Sequence, residues 1–172
     1  MQVAIRRAVQ ADAPIMADIH ARSWRAAYEG IVSPEGIEQA VARQPQRWER
    51  LLAQQQESYL ALVSGVPAGL IRFGACRDAD LPEAGEIYAI YMAPEFMGKG
   101  CGAALMRFAL ETLRNRGFDT IAVWVLRDNK NAGNFYRHFG FLPDGAVQTL
   151  DLCGPVEAIR CRLDLSGTSG HL

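Results

Sequence analysis

Two kinds of hydrophobic pattern alternate along this chain. Seven segments are apolar at most positions or at every second position, as strands are: residues 3–8, 58–64, 70–76, 86–92, 120–126, 141–150 and 156–165. Apolar residues recur every three to four positions over residues 13–28, 99–116 and 130–139, which predicts helices, and a helical region over 33–52 is interrupted at Pro45. The order β, α, α, β, β, β, α, β, α, β, β predicts a mixed α/β sheet.

The stretch from Ala84 to Leu110 combines a buried strand, a glycine-rich loop and a helix. Gly98, Gly100 and Gly102 occupy every second position where the loop meets the helix. Glycine lets the main chain turn tightly and approach a ligand closely. The first N–H groups of the helix, together with the positive end of its dipole, favour a bound anion. We therefore expect this loop to bind the pyrophosphate of a nucleotide-bearing cofactor.

Composition limits the other classes of function. The 172 residues are 49% hydrophobic and 22% charged, which suits one domain, predicted over residues 1–165, with a flexible C-terminal tail over 166–172. The net charge of −1 and the scattered basic residues predict no nucleic-acid partner and no membrane partner. No apolar run reaches the ~20 residues of a membrane span, and the first residues do not resemble a secretory signal.

Cysteine and histidine residues carry no metal-binding pattern. The four cysteines have no C-x-x-C spacing, and the three histidines have no spacing typical of metal ligands, so we expect no metal site. Cys101 lies within the glycine loop, which is an unusual place for a structural disulfide. A reducing, cytoplasmic location is the simplest interpretation.

The glycine loop alone leaves several cofactors open. Gly98, Gly100 and Ala103 fit the G-x-G-x-x-A pattern of dinucleotide-binding folds, which suggests an oxidoreductase as one alternative. Five residues separate that pattern from its strand, however, and no acidic residue lies at the end of the next strand. The chain contains no P-loop sequence. A loop that only turns the chain is a further alternative.

Two linked motifs resemble the GNAT superfamily of N-acetyltransferases. The first is Met97-Gly98-Lys99-Gly100-Cys101-Gly102, which follows a strand and opens a helix, and the second runs from Asn129 through Ala132 and Tyr136 to Gly140-Phe141. The resemblance is strong over residues 86–141. It implies a mixed, mostly antiparallel central sheet of six to seven strands flanked by about four helices. It also implies transfer of an acetyl group from acetyl-CoA to a primary amine, by direct attack in a ternary complex.

The resemblance also assigns the residues that hold acetyl-CoA. They form the end of the central strand, the glycine loop and the start of a later helix: Ile90, Tyr91, Met92, Met97, Gly98, Lys99, Gly100, Cys101, Gly102, Ala103, Asn129 and Ala132. The family usually has Gln or Arg where this chain has Met97. Main-chain N–H groups provide most of the pyrophosphate contacts in such a loop, so we expect binding to survive.

Glu86 and Tyr136 are the candidate catalytic residues. A lysine-like amine must lose a proton before it attacks, which costs roughly 4.6 kcal/mol at pH 7 for a pKa near 10.4. Glu86, at the start of the central strand, is the candidate general base, and a surface glutamate is the alternative. Tyr136 matches the tyrosine of the family that protonates the departing thiolate. A packed helix tyrosine is the alternative for this residue.

The acceptor site is the least determined part of the sequence. Trp24 and Tyr28 lie one helical turn apart and are candidates for lining it, although core packing is equally compatible with their spacing. The acceptor is expected to be a small-molecule amine or an amine of a peptide or protein. A homodimer is left open. A non-catalytic acyl-CoA-binding module is the second functional hypothesis.

Overall fold

A computed structural model describes residues 2–166, and these residues form one seven-stranded sheet. The strands are β1 (Val3–Arg7), β2 (Tyr59–Val63), β3 (Val66–Ala75), β4 (Gly85–Met92), β5 (Thr120–Leu126), β6 (Leu142–Asp151) and β7 (Pro155–Asp164). The helices are α1 (Ala13–Tyr28), α2 (Pro34–Ala42), α3 (Gln44–Ala53), α4 (Cys101–Asn115) and α5 (Lys130–His138). The predicted flexible tail, apart from Ser166, lies outside the described residues.

The strands follow the order β1-β2-β3-β4-β5-β7-β6 across the sheet. All neighbouring strands are antiparallel except β4 and β5, which run parallel because α4 crosses over between them. This confirms the predicted mixed, mostly antiparallel sheet. No helix within residues 2–166 combines the length and apolar character of a membrane-spanning segment.

The second helical region of the sequence is two helices, α2 and α3. Arg43 ends α2 and also precedes the first residue of α3, in which Pro45 occupies the first turn. Proline lacks the N–H that a continuous helix would require, but it fits a first turn, where that N–H has no partner. The described part of the chain therefore has five α-helices, with α2 and α3 in place of one interrupted helical region.

Helices cover both faces of the sheet. On one face, α4 buries Leu105, Leu110 and Leu113 in a cluster with β-strand residues such as Phe73. On the other face, α1 and α3 pack against Leu60 and Leu70 of the sheet in a second cluster. Full burial of each leucine contributes about 2 kcal/mol. We call these two sides the α4 face and the α1 face.

The central strand β4 is irregular at Tyr88. Ile87 pairs with Phe73 of β3, and Ala89 pairs with the adjacent Arg72, so Tyr88 is an extra residue in β4. Such a bulge bends a strand and ends regular pairing. On its other side β4 pairs with β5 only over residues 85–87, although both strands continue beyond that point. The two parallel strands therefore part and leave a gap.

Candidate active site

A cavity of about 560 Å³ occupies the gap between β4 and β5. It is lined by α1 on the α1 face, by the glycine loop and α5 on the α4 face, and by both parted strands: Ser23, Trp24, Ala26, Ala27, Tyr28, Ile87, Tyr88, Ala89, Ile90, Tyr91, Met92, Phe96, Met97, Gly98, Gly100, Gly102, Ala103, Val123, Trp124, Val125, Asn129, Asn131, Ala132, Phe135 and Tyr136. The cavity therefore passes through the sheet. Two molecules entering from opposite faces could meet within it.

The glycine loop forms one end of the cavity. Gly98 and Gly100 have φ angles of 70° and 84°, a left-handed conformation that glycine adopts without strain. No side chain caps the start of α4, and no acceptor in the described chain is hydrogen-bonded to the N–H groups of residues 98–103. These free donors at the positive end of a 15-residue helix favour a bound anion.

Two residues of the predicted loop set do not line the cavity. The Cys101 side chain is fully buried in a small cluster with Val63 and Ala68, so only its main chain faces the loop. The Lys99 side chain is exposed, and its Nζ lies 5.9 Å from the centre of the Phe96 ring. The other predicted cofactor-binding residues all contribute to the cavity wall.

Asn129 connects the cavity wall to the start of α5. Its Oδ1 accepts a hydrogen bond from the N–H of Ala132 at 3.1 Å, and the residue is buried. This contact satisfies one of the free donors at the first turn of the helix. Asn129 thus orients α5, and with it Tyr136, while it also lines the cavity.

Tyr136 is buried where α5 meets the core of the α4 face. Its ring makes edge contacts with Phe135 and Phe141, with ring centres 5.5 and 5.9 Å apart. No hydrogen bond to its hydroxyl is found within the described chain, and the residue lines the cavity. Burial raises the pKa of the Tyr136 phenol above its ordinary value. The phenol therefore keeps its proton throughout the neutral range and remains a hydrogen-bond donor.

Glu86 is held away from the cavity by Arg77. Both carboxylate oxygens are engaged: Oε2 accepts from the Arg77 main-chain N–H at 3.0 Å and from Nε at 3.1 Å, and Oε1 accepts from Nη2. The glutamate side chain is 2% exposed, whereas the arginine is largely exposed. Glu86 is absent from the cavity wall. A base needs a free lone pair near the substrate, so this geometry disfavours direct proton transfer to Glu86.

Trp24 and Tyr28 lie where α1 faces the gap. Their rings meet edge to face with centres 4.7 Å apart, and both line the cavity. Both also pack against a cluster that includes Leu126 and Ala158. The two interpretations of these aromatic residues, core packing and site lining, are thus compatible.

Several wall residues were not predicted as site residues, notably Tyr88 and Trp124. The Trp124 Nε1–H donates to Asp78 Oδ2 at 2.9 Å, and buried Arg160 bonds the same carboxylate at 3.0 Å. Arg160 also binds Asp80 and Asp144, and these carboxylates raise its pKa. This network fixes the Trp124 ring. The aromatic residue within an otherwise aliphatic strand was the available sequence signal.

Comparisons with known proteins agree with this architecture. Residues 16–141 match the model of the acetyltransferase (GNAT) family. An uncharacterized N-acetyltransferase of Methanocaldococcus jannaschii is 34% identical over 88 residues, 48% of this chain and only 38% of that protein. The uncharacterized N-acetyltransferase YuaI of Bacillus subtilis is 28% identical over 134 residues, 74% of this chain and 73% of YuaI.

A solved structure shows the same fold. It is the PaiA N-acetyltransferase from Thermoplasma acidophilum in complex with coenzyme A, with a TM-score of 0.74 and 22% identity, covering 93% of this chain and 98% of that one. The family model spans more than half of this chain, including the parted strands and the open glycine loop. The chain belongs to the acetyltransferase (GNAT) family.

Proposed function

We propose that this protein transfers an acetyl group from acetyl-CoA to a primary amine acceptor, by direct attack of the amine on the thioester. The observation that carries this proposal is the cavity that runs through the sheet between β4 and β5. One of its ends has free amides suited to a diphosphate, and the other is lined by aromatic side chains of α1. A cofactor arm and an acceptor can therefore reach each other from opposite faces.

The glycine loop is the proposed diphosphate site. Its free N–H groups supply hydrogen-bond donors from the main chain, so the side chain at position 97, here Met97 in place of the family's usual Gln or Arg, need not contact the diphosphate. The related PaiA enzyme was crystallised with coenzyme A, which supports the same class of cofactor here. The acyl arm would then extend along β4, past Met92 and Ile90, into the gap.

Main-chain groups of β4 are the proposed stabilisers of the reaction. Beyond Ile87, the edge of β4 that faces β5 has no strand partner, so its N–H groups are available to the oxyanion that forms on the thioester. One such donor contributes about 3 kcal/mol to a transition state. Tyr136 is the proposed donor to the departing sulfur.

Removal of the amine proton requires a route through water. The residues that line the cavity, all within the described chain, include no Asp, Glu or His. Glu86 stays a proposed base only in an indirect form, in which Arg77 releases one carboxylate oxygen to a water molecule. Otherwise the acceptor loses its proton to solvent before it binds.

The two alternative functions make different demands on this site. A non-catalytic acyl-CoA-binding module would use the loop without turnover. A dinucleotide-dependent oxidoreductase would require a mostly parallel sheet. Here β4, the strand before the loop, is antiparallel to its neighbour β3. The acetyltransferase proposal accounts for the loop, the gap and family membership together.

Thermal shift measurements with acetyl-CoA and with acetyl-pantetheine, which lacks the diphosphate, test the cofactor. Acetyl-CoA at 100 times its Kd should stabilise the protein by about 2.7 kcal/mol, or roughly 5–10 °C in Tm, and acetyl-pantetheine far less. An equal response to NADH would instead favour the oxidoreductase. Release of free CoA across a panel of amines separates the enzyme from a binding module, because a module would bind without release.

Gly100→Ala locates the diphosphate, with Gly117→Ala as its matched control. Both glycines have positive φ (84° and 91°) and open space around the added Cβ, but they lie at opposite ends of α4. Each variant should lose about 1–2 kcal/mol of stability. Only Gly100→Ala should weaken acetyl-CoA binding, by about tenfold. Equal affinities in the two variants would remove the loop from the cofactor site.

A further inference from the structure

Arg72 is a buried cation without an anionic partner. It lies in the middle of β3 and is 7% exposed. Its Nε is buried without a hydrogen-bond partner, and within residues 2–166 no carboxylate forms an ion pair with its guanidinium. An unpaired buried charge is costly, so such a group is usually found with a counter-ion.

The surroundings of Arg72 are themselves positive. Burial and the charges of Arg47 and Arg77 lower the pKa of the Arg72 guanidinium. The acid of this region, Glu86, is already bound to Arg77. Arg72 Cζ lies 5.5 Å from the centre of the Tyr88 ring, a favourable contact, and Arg77 also lies over that ring. The arrangement therefore lacks negative charge and would gain from a bound anion.

Arg72 is not itself a wall residue of the cavity, but strand register places it next to one, on the α1 face and one strand from the gap. It pairs with Ala89, directly after the bulge at Tyr88, and both of these β4 residues line the cavity. Arg72 also lies two residues from Leu70, so both side chains project to the α1 face. Paired residues in neighbouring strands have Cβ atoms about 5 Å apart. An arginine side chain is longer than this distance, so the Arg72 guanidinium can reach an anion that lies over Ala89.

We propose that the acceptor is an amino acid whose carboxylate binds Arg72, with Arg72 acting as the specificity-determining residue. This inference rests on the proposed acetyl transfer. The amine would lie at the gap, and the carboxylate would provide the missing counter-ion on the α1 face. The cavity would also hold the end of the cofactor arm, which leaves room in it for only a small amine-bearing group.

The test compares L-amino acids with the amines obtained by removing their carboxylates. Wild-type protein should acetylate the acids with kcat/KM at least tenfold above the matched amines. Arg72→Met should lower kcat/KM for the acids by about 10–100-fold, mainly through KM, and change the amines less than threefold. Arg72→Lys should recover part of the preference. Arg107→Met, which removes an exposed charge from α4, should behave as wild type.

The possible failures are distinguishable. A wild-type preference for amines, or an equal loss for both classes in Arg72→Met, overturns the inference and leaves acetyl transfer standing. If neither class is acetylated, the proposed function fails, and a binding measurement then tests the role of Arg72. Amino acids added together with CoA should raise the Tm of wild type but not that of Arg72→Met. Equal shifts would refute the inference. Without ligand, Arg72→Met should melt at or above the wild-type temperature, and a fall of several degrees would assign Arg72 a structural role instead.

Discussion

Replacing Tyr136 by Phe removes one hydroxyl from the wall of the cavity. The ring fits among Phe135 and Phe141 in the core, and these contacts do not involve the hydroxyl. No hydrogen-bond partner for that hydroxyl is found in the described chain. This hydroxyl makes no hydrogen bond there that its loss would break, so its removal should be close to neutral for stability. The Tm of Tyr136→Phe should therefore equal or slightly exceed that of wild type, so a change in rate would report on chemistry.

The expected size of the rate change follows from two pKa values. A thiol has a pKa near 8.5 and a tyrosine near 10, and burial raises the pKa of Tyr136 further. Full proton transfer from the phenol to the thiolate is then unfavourable by about 2 kcal/mol or more. Tyr136 should instead donate a hydrogen bond to the developing negative charge, which contributes about 1.5–3 kcal/mol. We expect kcat to fall by about 10–100-fold.

Single-turnover release of CoA is the appropriate assay, because it separates the chemical step from product release. The Kd for acetyl-CoA, from thermal shift or calorimetry, should change less than threefold. Tyr59→Phe is the control, since Tyr59 also lies in the α4-face core but outside the cavity wall. A single-turnover rate for Tyr136→Phe within twofold of wild type would refute the reasoning. A loss of 10⁴-fold would also refute it, because a hydrogen bond alone does not account for that magnitude.

Two further predictions concern buried titratable groups. Glu86→Gln should lower kcat less than tenfold and leave its pH dependence unchanged, because Arg77 occupies the carboxylate; a loss above 100-fold in the same assay would identify Glu86 as the base. Burial lowers the pKa of His20 to about 3, below the ~6.5 of the unfolded chain, so the unfolded state binds the extra proton as the pH falls. The free energy of unfolding should therefore decrease by up to about 1.4 kcal/mol per pH unit below 6.5. In His20→Gln, whose side chain can still accept a hydrogen bond from Trp48 Nε1, this dependence on pH should be weaker, as measured by urea unfolding at pH 7, 6 and 5. A wild-type slope equal to that of His20→Gln would contradict the assignment.

Sequence patterns were sufficient for most of the elements and for the glycine loop that opens α4, the proposed cofactor side of the cavity. Strands and helices have strong hydrophobic periods, and Gly98 and Gly100 adopt the positive φ angles that make glycine informative at a helix start. Asn129 and Tyr136 follow from one short motif on one helix. These are local features, in which neighbours along the chain are also neighbours in space.

The proposed acceptor side depends on pairing between distant segments and could not be predicted from local sequence. Glu86 looks like a free acid at the start of a strand until Arg77, nine residues earlier, is seen to bind it. Arg72 lies within a strand whose alternation is obscured by apolar residues on both faces. The network of Arg160 with Asp78 joins residues 82 positions apart. None of these contacts has a signature in the local sequence.

The bulge at Tyr88 determines which β4 side chains face α1, the proposed acceptor side. Before the bulge, Glu86 is among the β4 residues that face α1. After the bulge the alternation of side chains shifts by one residue, so Tyr91, which pairs with Leu70, faces α1. Its ring stacks on His20 of α1, with ring centres 4.0 Å apart. A strand without the extra residue would turn Tyr91 toward α4, since a shift of one residue exchanges the two faces. It would also favour continued pairing with β5, which would close the gap. One inserted residue thus both opens the passage through the sheet and gives it an aromatic wall on the α1 face.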